Sequence, residues 1–252
     1  MSVRQKIEMI RFTVKQLFLS RKTAMLLVLS FFPLILVGAW MYDSNDQVSS
    51  EIFSNLFIAI FLQFIVLIVS LLYGTSLINT EISNKTISYL STRSFRREEL
   101  FLYRSVSAIL VAFFVIVIPI VVSLVALSFY EGNLVILGKL LGYVAVVLLS
   151  VTVYVSFFSF IGVLLKRPLM AGLLFAFIWE ILLANLPGKI PNMTVMFYLR
   201  SMSHHLIDAT WPDYYPKAIT TGGSVAVLTG VAIFFLFFGT FIFRHKNLVE
   251  KA

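Results

Sequence analysis

Long apolar runs separated by short polar segments dominate the chain. Six of them meet the length of roughly 20 residues that a helix needs to cross about 30 Å of hydrocarbon. They are Thr23–Met41, Phe53–Leu77, Val106–Leu127, Gly142–Leu165, Leu169–Leu186 and Ser224–Phe243, the fifth being the shortest. Their apolar character is continuous, without the period-two alternation of barrel strands, so the pattern predicts helices. The expected fold class is all-α: a polytopic membrane protein with six transmembrane helices. Neither an internal repeat nor a low-complexity tract divides the chain, and residues 1–252 read as a single transmembrane domain.

Three polar segments interrupt or flank the runs. In residues 1–22, Val3, Ile7, Ile10, Val14, Leu17 and Phe18 recur by threes and fours, with Arg4, Glu8, Arg11 and Lys15 on a neighbouring stripe. That spacing predicts an amphipathic helix lying in the headgroup layer; the alternative is a helix packed on its own protein. In residues 78–105, Ser94 is placed to cap a helix through Arg96, Arg97, Glu98, Glu99, Leu100 and Phe101. Upstream, Ile82, Ile87, Tyr89 and Leu90 give a short apolar surface, so this segment is a candidate docking element or, alternatively, a solvated loop. In residues 187–221, Met196, Leu199, Met202 and Leu206 keep helical spacing and precede Trp211, Tyr214 and Tyr215. An amphipathic helix dipping into the outer leaflet, followed by an aromatic belt, fits that pattern.

The basic residues orient the spans. Sixteen of the twenty Lys and Arg fall in the amino-terminal segment, the loop after the second run, the Lys166-Arg167 turn and the carboxy-terminal tail. Only Lys139, Lys189, Arg200 and Lys217 occupy the opposite loops. The positive-inside rule then expects a multi-pass protein of the plasma membrane with both termini cytoplasmic. The first run is too long for a typical signal-peptide core and lacks an A-x-A-like site, so it reads as a retained anchor.

Composition agrees. Of 252 residues 60% are hydrophobic and 13% charged, against about 25% charged in soluble domains. The net charge of +8 sits at the ends of apolar runs, the distribution of a topology signal and of a surface facing anionic lipid, so no nucleic-acid partner is expected. With no cysteine, disulfides, thiolate metal sites and cysteine nucleophiles are excluded.

Candidate chemistry is sparse. No G-x-x-x-x-G-K-[ST], H-E-x-x-H or G-x-S-x-G occurs, which argues against a P-loop, a zincin and a serine-hydrolase elbow. Glu98-Glu99 with Arg104 approaches the E-E-x-x-x-R of CAAX-type membrane proteases. Its spacing is one residue too long, which turns the arginine by about 100°, and no histidine lies in the spans. His204 and His205 are adjacent and point apart on a helix, a poor metal pair. Within the fifth run stands Glu180, next to Trp179. A charged side chain at that depth costs roughly 2.5–3.5 kcal/mol on insertion scales. A gating contact, a proton site and a structural hydrogen bond all remain open for it, with Gln63 in the second run as a candidate partner. Pro33 and Pro119 can kink their helices.

The segment Glu81 to Leu100 resembles the first cytoplasmic loop of type-2 ABC transporter permeases. Glu81, Thr86, Ile87, Leu90, Ser91, Arg93, Arg97, Glu99 and Leu100 match that loop by position. Lys85, Ser94 and Tyr103 depart from it, standing where the family has glycine, proline and glycine. The resemblance implies a cytoplasmic coupling helix docking onto a separate ATP-binding cassette ATPase subunit, with Glu81, Thr86, Tyr89, Leu90, Arg93, Arg97 and Glu99 as coupling residues. It also implies a dimer with a second permease copy or paralogue, and an exporter whose ATP and Mg are held by the partner. This chain would then carry no cofactor and no catalysis of its own, and Glu180 and Gln63 would be candidates for the pathway or gate. The rivals are a non-transporting membrane scaffold or sensor subunit and an intramembrane enzyme. No residue selects a substrate.

Overall fold

The computed structural model describes residues 3–43, 50–83, 97–131, 135–213 and 215–245. The described residues form helices and no strands, and six helical stretches are long and apolar enough to cross a membrane. They are Arg21–Ala39, Phe53–Ser76, Glu98–Tyr130, Leu140–Leu164, Pro168–Asn185 and Thr221–His245, called spans one to six. Each lies within a few residues of the run that predicts it. The main departure is span three, which belongs to one helix, Arg97–Glu131. Glu98 to Phe101, expected in a separate coupling helix, form its first turn; Ser94 lies outside the described residues.

Spans two, three and four form the centre of the bundle. Phe57, Leu62, Val66, Val111, Ile116, Val151 and Phe158 are fully buried there. Span two crosses span four at glycine: a Cβ added to Gly74 would lie 2.6 Å from the Phe158 Cβ, and Gly162 faces the Gly74 carbonyl. Close backbone approach at small residues lets helices gain packing where lipid supplies no hydrophobic drive. At Gly239 of span six, a Cβ would meet the Phe101 ring of span three. An ion pair, Arg244 Nη1 to Glu98 Oε1 at 3.1 Å, closes the same end. Spans one, five and six are the least covered, and Met25, Phe32, Leu174, Phe177, Phe237 and Phe241 stand exposed on them.

The amino-terminal helix Val3–Phe18 lies against span three. Of its predicted stripe, Val14 and Leu17 pack on the core, while Phe18 is exposed. The stripe expected to face headgroups is thus used partly on the protein itself. Thr23 Oγ1 holds span one to span two through the Tyr73 hydroxyl, 2.6 Å away.

Two spans are not regular α-helix. Span two is π-helical over Phe57–Val66, and span five over Ala176–Leu182. The two polar residues singled out within the spans, Gln63 and Glu180, fall inside these widened turns. π-Helical turns are rare and concentrate at functional sites.

The segment between spans five and six carries the helix Val195–Ile207, called the crown helix. Its Met196, Leu199 and Met202 are buried against the bundle and not laid into a leaflet as the spacing suggested. A periodic apolar face records burial, but not whether protein or lipid provides it.

Candidate functional site: a polar lock beneath the crown helix

A helix leaves its first backbone N–H groups without internal partners, a serious cost away from water. The crown helix meets this from two directions. Glu180 of span five accepts from the Val195 amide through Oε1 at 3.2 Å and from the Met196 amide through Oε2 at 3.0 Å. Thr194, the N-cap, accepts from the Phe197 amide at 3.2 Å. The Tyr154 hydroxyl of span four donates to Glu180 Oε2 at 2.9 Å. Glu180 and Tyr154 are fully buried. The carboxylate therefore has three donors and faces the positive end of a helix dipole, which offsets its desolvation.

One helical turn further, Arg200 is buried on the same stripe as Met196. Its Nη2 donates to Gln63 Oε1 at 3.1 Å and to Asn185 Oδ1 at 2.9 Å. Its Nη1 donates to the Tyr215 hydroxyl, and the guanidinium lies 5.3 Å from the Tyr215 ring centroid. The planar fork thus joins span two, the end of span five and the loop before span six, a geometry that lysine cannot reproduce. Gln63 serves Arg200, not Glu180; the two polar residues of the spans meet under one helix through different partners.

The other end of the crown helix is fastened as well. Ser54 of span two donates to the Ile207 carbonyl at 2.9 Å and lies 2.8 Å from the Tyr143 hydroxyl of span four. Asn55 exchanges two hydrogen bonds with Thr210. Asp208 ends the helix in the left-handed region, at φ 54°, and pairs with Lys139 at 2.8 Å. That ammonium holds the Asp208 carboxyl below the usual carboxylate range. His204 and His205 each bond a backbone carbonyl, of Ala209 and Ile219 respectively. Among the described residues, no group of three or more His, Asp or Glu is placed to hold a metal.

The crown helix is therefore tied to spans two and five by polar contacts, which Tyr143 and Tyr154 of span four brace from behind. As chemistry, this arrangement binds and positions; it presents no nucleophile beside a base. Of the candidate coupling residues, the described ones lie at the opposite end of the bundle. Thr86, Tyr89, Leu90 and Arg93 fall outside the described residues, while Glu81 and Arg97 lie in the helices that end span two and begin span three. Glu99 is half-buried in the first turn of span three. Sequence reasoning missed Arg200, Tyr154, Asn185 and Tyr215. Arg200 had a signal, since it stands four residues after Met196 and so on the apolar stripe. Tyr154 and Asn185 had none.

No family model matches this chain, and neither a curated protein nor a solved structure matches it.

Proposed function

We propose that this chain is the membrane-spanning permease subunit of an ATP-driven exporter of the ABC type, set in the plasma membrane with both termini cytoplasmic. It pairs with a second permease and with two separate ATP-binding subunits. The observation that carries this reading is where the family-like segment Glu81–Leu100 leaves and rejoins the bundle. It joins the ends of spans two and three, the end where Arg21, Lys22, Lys166, Arg167 and Arg244 also lie. From Arg97 one helix runs to Glu131, with Pro119 inside it, so a push on its first turn is carried along that helix toward the opposite end. Closure of the ATP-binding subunits presses on this segment and shifts spans one, two and five. Spans two and five are the two that carry π-turns and hold the crown helix through Gln63, Asn185 and Glu180. Their relative movement strains the lock, and the crown helix is the element that yields.

The test is the double variant Arg97→Ala with Glu99→Ala in the complex with its ATPase. ATP hydrolysis continuing while ATP-dependent export from vesicles is lost is the expected result; normal coupling removes the reading. A second reading has one observation in its favour: every Glu180 bond is internal to the fold, as a static scaffold or sensor subunit would have it. Vesicles that hydrolyse ATP through the complex and export nothing select that alternative.

A further inference from the structure

Between spans five and six, floored by span four, lies a cleft of about 630 Å³. Its walls include Phe157 of span four, Phe175 and Trp179 of span five, and Gly230, Val231 and Phe234 of span six. Phe175 and Trp179 stack at 6.2 Å, and the Trp179 indole donates to the Met193 carbonyl at 3.2 Å, so one wall is fixed before anything binds. The polar side chains that reach the cleft, Tyr154 and Glu180, are bonded to each other and to the crown helix. Water needs two to four polar partners to settle in such a place, and the walls offer aromatic and aliphatic carbon instead.

Size and depth narrow the occupant. Residues Ala226 to Phe234 of span six cover about 12 Å at 1.5 Å per residue. The cleft's volume lies within the range of roughly 300–1,000 Å³ usual for small-ligand sites. The cleft runs from the crown end to the middle of the spans, close to the depth of one leaflet, about 15 Å of a 30 Å hydrocarbon layer. Trp179 and Phe234 at its mouth are exposed on faces that meet hydrocarbon in a membrane.

We propose that this cleft is a binding site for one acyl chain of a membrane lipid, entered sideways between spans five and six from the leaflet at the crown end. The chain lies along span six with its length against Phe157, Phe175 and Val231. The inference rests on the membrane-spanning fold alone and holds whether or not the protein transports anything.

The fold supplies its own test. A Cβ at Gly230 meets nothing within 4 Å, and the same is true of Gly38 on the exposed face of span one. Gly230→Leu therefore starts from open space at its Cβ and puts side-chain bulk on the cleft wall, and Gly38→Leu makes the same change on an exposed lipid-facing surface. The full chain is reconstituted in vesicles of phosphatidylcholine and phosphatidylglycerol, with a phosphatidylcholine probe bearing a photoreactive diazirine within one acyl chain. Adducts are mapped by mass spectrometry. The expected result is labelling of Phe157 and Phe175, lost in Gly230→Leu and kept in Gly38→Leu, with Phe237 labelled in all three proteins. Labelling confined to outward residues such as Phe32 and Phe237, or wall labelling unchanged by Gly230→Leu, overturns the proposal. If Gly230→Leu does not reconstitute, Ala226→Leu on the same wall replaces it, read by the same adducts.

Discussion

Replacing Glu180 by alanine removes the side chain that accepts from both the Val195 and Met196 amides. It strands three buried donors: those two N–H groups and the Tyr154 hydroxyl. Each unsatisfied buried group costs about 1–3 kcal/mol, so the gross penalty is roughly 3–9 kcal/mol. Removing a buried charge returns part of that, since its own desolvation cost disappears. The net loss expected is about 3 kcal/mol, near the low end of the gross range. Glu180→Gln keeps one accepting oxygen but turns an NH2 toward a donor, and should cost about 1–2 kcal/mol. Reversible unfolding of the purified protein in mixed micelles measures both. Hydrogen exchange at Val195 and Met196 localises the effect, because opening there should accelerate more than at Val111 in the centre of span three. An alanine variant within about 0.5 kcal/mol of the parent, the size of an ordinary surface substitution, with unchanged exchange at those amides would refute the reasoning.

Other perturbations separate the remaining contacts. Arg200→Lys keeps the charge but cannot reach Gln63, Asn185 and Tyr215 together, and should lower stability by about 2–3 kcal/mol in the same assay, from the loss of charge-assisted bonds. Gly74→Ala places a methyl 2.6 Å from the Phe158 Cβ, and should cost about 1–3 kcal/mol by overpacking. Gly38→Ala, in open space, should not destabilise. The Lys139 pair lowers the Asp208 pKa on folding. Its contribution is therefore present above the unfolded value, about 3.9, and is lost as pH falls through the lower folded value. Asn tolerates left-handed backbone, so Asp208→Asn should flatten that acid-side slope in a pH series of melting temperatures. The exposed Asp208 carboxylate makes the effect small and erased by high salt.

The six spans were legible because hydrocarbon enforces a length and an apolar content that sequence displays directly. The lock was legible only in fragments. Glu180 and Gln63 stood out since a polar residue in an apolar run has a price, but what compensates each is set by tertiary packing. Tyr154 looks like any aromatic in a lipid-facing run until its hydroxyl is placed against Glu180. The crown helix showed its periodicity, yet burial in protein and in a leaflet impose the same spacing on Met196, Leu199 and Met202. Arg200 on that stripe, passed over in the sequence, is the residue that distinguishes them, because an arginine among buried methionines calls for fixed acceptors. The π-turns left no mark in composition: Phe57–Val66 and Ala176–Leu182 read as ordinary apolar helix.

The reading as an ABC-type permease stands or falls on its partner. The most direct measurement is a mild-detergent pull-down of the tagged full chain from its native membrane, with co-purifying proteins identified and ATPase activity assayed. A stoichiometric P-loop ATPase, lost when Arg93, Arg97 and Glu99 are changed together to alanine, is the predicted result. An intact chain recovered from that membrane with no ATPase bound would contradict it.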